Sequence, residues 1–181
     1  RVIKFRENID YLFKNKPMLT LIISYSIVII ILEMEAPLIF PFVKNYLQAP
    51  DHITGILFSL GGIGGILGAL IPIYLKIKNE NLVISILIVF DGIILLSFAF
   101  INSYYISMII FMFFGILAAV SLILVETKIQ NEIDEPHRPF AFSILQFSGG
   151  ALGAFAAVVV SFLADIYSAA NILRASAILE V

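Results

Sequence analysis

Three carboxylates, Glu33, Glu35 and Asp91, stand inside long apolar runs, and their chemistry is the first thing to explain. An ionised side chain near a bilayer centre costs roughly 2.5 to 3.5 kcal/mol on insertion scales, so each is a functional candidate. A carboxyl group moved between water and an apolar site binds and releases a proton, which suits it to couple a proton to another movement. Glu33 and Glu35 lie two residues apart, about 200° around a helix, so they face one cavity only if Pro37 and Pro41 break the helix. Glu33 shares a stripe with Ser26 and Pro37, and Glu35 shares one with Ser24 and Val28. The spacing does not choose between them, and an outer carboxylate in water is the plainer reading of the pair. For Asp91 the plainer reading is a structural partner for a helix terminus or a buried polar group.

Two uncharged polar residues, Ser121 and Gln146, are candidates for a solute path, although each can equally bond a neighbouring helix. Small residues form two stripes, Gly61, Gly65 and Gly68 in one run and Gly150, Ala154, Ala157 and Ser161 in another. In lipid such stripes let backbones approach closely, so they are contact faces, either fixed or sliding. They are not phosphate loops: Leu67 stands where a dinucleotide pattern needs glycine, and no Lys-Ser or Lys-Thr follows. The chain has no cysteine, and His52 and His137 fall in links on opposite sides, so no metal site, cofactor or enzyme active site is expected.

The elements that hold these residues follow from composition. Of 181 residues, 61% are hydrophobic and 13% charged, which leaves too few polar side chains to cover a water-soluble fold. The net charge of -2 provides no basic face, so nucleic acid is excluded as a partner. Crossing about 30 Å of hydrocarbon takes roughly 20 apolar residues. Five stretches qualify, at about 17–42, 53–75, 82–101, 104–125 and 140–164, and a sixth, 168–181, is too short to span unaided. The fold class is therefore an all-α membrane protein.

Basic residues divide unevenly between the two sides. Arg1, Lys4, Arg6, Lys14, Lys16, Lys76, Lys78, Lys128 and Arg138 share one side, against Lys44 and Arg174 on the other, which places Arg1 in the cytoplasm. Residues 1–16 read as an amphipathic linker helix along the inner leaflet, with Phe5, Ile9, Leu12 and Phe13 on one face. A start at Arg1 with no signal-peptide pattern reads as an internal fragment. Shifting the chain by 88 places Gly61, Gly62 and Gly65 on Gly149, Gly150 and Gly153. Since each unit holds three spans, an odd number, this predicts a 3+3 repeat of opposite orientation with its last helix truncated.

The run Phe5-Arg-Glu-Asn-Ile-Asp-Tyr-Leu-Phe-Lys-Asn-Lys-Pro17, then Pro37-Leu-Ile-Phe-Pro41 and Gly55-Ile-Leu-Phe-Ser before the glycines, resembles the second half of a major facilitator superfamily transporter. The link from Glu126 to Ser143, with Leu163-Ala-Asp165 after the next helix, is similar to the macrolide and multidrug exporter branch. Two departures stand out: Leu75 to Asn81 lacks the Gly and Asp of the family's loop after helix eight, and Pro139 replaces a usual Gly. The resemblance implies helices seven to twelve of a twelve-helix fold in the plasma membrane, with a missing N-terminal six-helix half as partner. It implies proton-coupled efflux of a hydrophobic small molecule, with Glu33 or Glu35 as working carboxylates and Asp91 in a peripheral helix. Gly61, Gly65, Gly68, Gly150, Ala154 and Ala157 would pack one half on the other. An importer of the same fold and a non-transporting membrane module are the alternatives.

Overall fold

The computed structural model describes residues 5–74, 77 and 79–180, all helix or short connection, with no strand among them. Arg1, Lys4, Lys76, Lys78, the end of the second span at Leu75 and Val181 lie outside the described residues. A short helix, α1 (Phe5–Lys14), precedes α2 (Lys16–Pro41), which passes into a π-helical turn at Phe42–Tyr46. Then come α3 (His52–Tyr74), α4 (Glu80–Phe100) and α5 (Tyr104–Glu132). After a 3-10 turn at Glu135–His137 the chain forms α6 (Arg138–Phe147), a second π segment at Ser148–Gly153, α7 (Ala154–Tyr167) and α8 (Ala169–Glu180).

Local chemistry sets several of these ends. The Asn15 side chain accepts the Met18 N–H at 3.4 Å, with Pro17 in the first turn where its missing donor costs nothing. Asn79 caps α4 in the same way by accepting the Leu82 N–H at 3.4 Å. Pro37 does not end α2; the helix runs on to Pro41 and only then widens into the π turn.

Five helical stretches are long and apolar enough to cross a bilayer, Lys16–Tyr46, His52–Tyr74, Glu80–Phe100, Tyr104–Glu132 and Glu135–Tyr167. Large apolar side chains crowd the outside as well as the core: Ile73, Phe155, Phe162 and Ile166 are each about seven-tenths exposed. Such a surface is consistent with a membrane protein, whose outer face meets hydrocarbon rather than water.

Two spans depart most from the sequence reading. The fourth span was expected to end at Val125, yet α5 continues to Glu132, because Lys128 is buried there and bridges to Glu132 one turn on. The fifth, expected as one helix over 140–164, starts at Arg138, carries the π segment in its middle and ends at Tyr167.

Packing follows a regular scheme. The main pairings set α3 on α5, α4 on α5 and α8, and α2 on α7, its π lead-in and α8. At one end α1 docks on the link between α5 and α6, where Tyr11 stacks on His137 at 4.0 Å, Asn8 and His137 share a hydrogen bond of 2.7 Å, and Tyr11 accepts the Asp134 N–H. At the other end Arg174 donates to the Tyr46 hydroxyl at 2.6 Å and to the Ala99 carbonyl at 3.2 Å, and Tyr46 donates to Asn102. A buried apolar cluster backs each end, one around Phe42, Phe98 and Leu173, the other around Met18, Ile22 and Ile129.

Candidate functional site

Between α2, α5 and the α6 to α7 run lies an open groove of about 690 Å³. Gly65, Gly115, Ala118, Ala119, Gly150 and Ala154 put little or no side chain on part of its wall, which leaves room between closely packed helices, and Ile29, Leu32, Leu122 and Phe142 line the rest. Four polar groups project into it: Glu33 and Tyr25 from α2, Glu126 from α5 and Gln146 from α6. Tyr25 and Glu33 are eight residues apart on one helix, about 12 Å along it, so the groove is elongated. Tyr25 shares a buried apolar cluster with Leu124 and Val125, the neighbours of Glu126, which sets that carboxylate toward the Tyr25 end and Glu33 toward the other. The two acids therefore stand at different heights in one groove, Glu33 on α2 and Glu126 on α5.

Glu33 is held in place from behind. A Cβ built on Gly153 would lie 2.6 Å from the Glu33 Cβ, and one on Gly149 would lie 2.9 Å from Ile29. The π segment thus presents bare backbone to α2, and π turns of this kind are frequent at functional sites. Gly153→Ala is expected to cost about 1 to 3 kcal/mol, since α2 must give way. Gly150→Ala, where nothing stands within 4 Å, is the control, and thermal unfolding in detergent separates the two.

The structure distributes the expected site residues among three places. Glu33 and Gln146 meet in the groove. Glu35, 2% exposed, is buried in the bundle and does not line the groove, so the continuous helix through Pro37 resolves the pair in the way that spacing alone left open. Asp91, 2% exposed, accepts the Ser121 hydroxyl at 3.5 Å, so Ser121 serves a neighbouring helix rather than lining the groove.

The small-residue stripes also sort themselves. Gly61 and Gly68 are taken up inside this bundle against α5, with Gly64, not Gly65, at the closest approach: a Cβ on Gly64 would overlap the Met112 carbonyl, and one on Gly68 the Ile116 carbonyl. Gly65, Gly150 and Ala154 line the groove instead. Gly150 and Ala154 are exposed and Ala157 half-buried.

Glu126 and Tyr25 were not among the expected site residues. Ending the fourth span at Val125 put Glu126 in a polar link, yet it follows Gly115, Ala119 and Leu122 on one helical stripe, and that continuity was the signal. Among the described residues no group of His, Asp and Glu side chains is placed to hold a metal ion. Compared with known proteins, the chain matches no protein family, no curated protein and no solved structure.

Proposed function

We propose that this chain is the C-terminal six-helix half of a secondary active transporter of the major facilitator kind, which expels a hydrophobic small molecule in exchange for protons. The observation that carries the reading is the groove that Glu33, Glu126 and Gln146 share with small and apolar residues. Carboxylates at membrane depth are expensive unless used, and two in one open space give a proton two stations along the path of a solute. The apolar walls suit an oily body, and Gln146 supplies the orienting hydrogen bond.

The helix pairing supports the 3+3 inverted repeat. Exchanging α2 with α5, α3 with the α6 to α7 run, and α4 with α8 turns each main pairing into another: α2 on α7 becomes α5 on α3, α2 on α8 becomes α5 on α4, and α4 on α8 is unchanged. Two of the three glycine pairs agree with the shift of 88. Gly61 and Gly149 both abut a partner side chain, and Gly62 and Gly150 both face open space, whereas Gly153 packs on Glu33 and Gly65 has only the Gly115 oxygen at 4.0 Å.

The basic residues near α1 and the α5 to α6 link favour that end as the cytoplasmic one. Gly150 and Ala154 are exposed at the groove, the side proposed to face the N-terminal half, the proposed partner.

Inverted vesicles from cells expressing the native chain test this with a fluorescent lipophilic dye. Energised vesicles are expected to accumulate dye and to lose it when a protonophore is added. Accumulation that survives the protonophore sinks proton coupling, release in place of uptake indicates an importer, and no flux in either direction indicates a non-transporting module.

A further inference from the structure

A second cavity, of about 700 Å³, lies away from the groove, between the end of α2 and the turn from α7 into α8. Pro37, Pro41 and Asn45 line it from α2 and its π turn, and Ser161, Asp165 and Ser168 line it from the α7 side. An adjoining cleft of about 520 Å³ is walled by Ala157, Val158 and Phe162 and shares Pro37, Ser161 and Asp165 with the first. The two spaces form one site with a polar lobe and an apolar lobe, joined at Asp165.

Three separate features give the polar lobe negative character. Asp165 stands in the last turn of α7, where the helix dipole already presents its negative end and a carboxylate is disfavoured. No ion pair reaches it among the described residues, and the basic groups at this end are committed, Lys44 to Asp51 at 3.0 Å and Arg174 to Tyr46 and Ala99. Pro41 has no N–H for the Pro37 carbonyl, and the Phe42 N–H goes to the Leu38 and Ile39 carbonyls, so the Pro37 oxygen lacks its helical donor. Ser168 holds φ 67 and ψ 144, a backbone that a side-chain-bearing residue adopts at a cost, and such strain collects at functional sites.

We infer that this cavity binds an organic ammonium ion with an apolar body, its charged head at Asp165 and its body against Phe162. A bare metal ion leaves the apolar lobe unused, and an uncharged solute makes no use of the Asp165 charge, which stands exposed where the two lobes join. The ammonium comes either from a free amine or from the headgroup of an aminophospholipid, since the cleft beside Phe162 lies on the exposed face of α7. The site does not depend on the transport reading of the groove.

The test uses the full native chain in phosphatidylglycerol nanodiscs, with a trimethylammonium probe carrying a photoreactive diazirine on a hexyl tail, and mass spectrometry to map the adducts. Adducts are expected on residues 157–165 and beside Pro37. Asp165→Asn is expected to lower labelling roughly two- to fivefold, as loss of an exposed charge partner does, while Asp165→Glu retains it. Phe162→Ala should weaken this probe and leave competition by tetramethylammonium unchanged. Phosphatidylethanolamine in the nanodisc abolishing the labelling assigns the site to a lipid headgroup; labelling that persists assigns it to a free amine. Labelling spread evenly over the lipid-facing helices overturns the inference. So does labelling indifferent to Asp165→Asn in a chain of native circular dichroism and elution, or labelling that follows Glu33→Gln instead.

Discussion

Vesicles carrying Glu33→Gln are expected to hold no dye gradient, although dye still equilibrates through them. Gln keeps the size and hydrogen bonding of the side chain and removes only its proton chemistry, so the loss falls on coupling rather than on fold. A proton crossing 100 mV supplies about 2.3 kcal/mol, which sustains about a fiftyfold concentration ratio; without coupling the ratio falls to one. Glu126→Gln should act in the same direction, since both acids line one groove, whereas Glu35→Gln, buried away from it, should leave the gradient and affect stability instead. The measurement is steady-state dye accumulation against an imposed pH gradient. Equal gradients in the Glu33→Gln and native chains would show that the groove does not carry the proton.

The largest effect on stability belongs to Gly64→Val. An ideal Cβ there already overlaps the Met112 backbone oxygen, and backbone yields less readily than a side chain, so the cost should reach or pass the upper end of the usual overpacking range of about 1 to 3 kcal/mol. The valine branches find no room along the stripe shared with Gly61, Gly68 and Gly115. Gly55→Ala and Gly62→Ala, with nothing within 4 Å, should instead be neutral or gain up to about 1 kcal/mol from helix propensity. Thermal unfolding in detergent, read by circular dichroism, ranks the three variants, and a Gly64→Val chain as stable as the native one would mean that α3 does not lie on α5 in this way.

The spans were legible because apolar length is a one-dimensional property of the chain: the starts of α3, α4 and α5 fall within two residues of where hydropathy puts them. What hydropathy cannot read is a polar residue buried by pairing. Lys128 and Glu132 look like a link until the helix brings them one turn apart, and Glu126 was lost with them. The π segment at Ser148–Gly153 left no trace, because no residue pattern distinguishes a bond to the fifth residue from one to the fourth. Phase was the finest thing missed. Gly61, Gly65 and Gly68 and Gly61, Gly64 and Gly68 are equally good stripes on paper, and only the surface of α5 selects the second. The same holds for Glu33 and Glu35, since which of them meets the groove depends on the side from which α7 approaches α2.

The bonds of Arg174 gather the end of α2 through Tyr46, the end of α4 through Ala99 and, by way of Tyr46, Asn102 in the next link. A tilt of α2 would turn about this knot. The helical stretch that it pins, Lys16–Tyr46, is 31 residues long, a lever arm of about 45 Å at the usual rise. Each degree of tilt about the Tyr46 end carries the Lys16 end sideways by about 0.8 Å on that geometry. Glu33 sits nearer the pivot than Tyr25 does, so a given tilt sweeps Tyr25 through the wider arc.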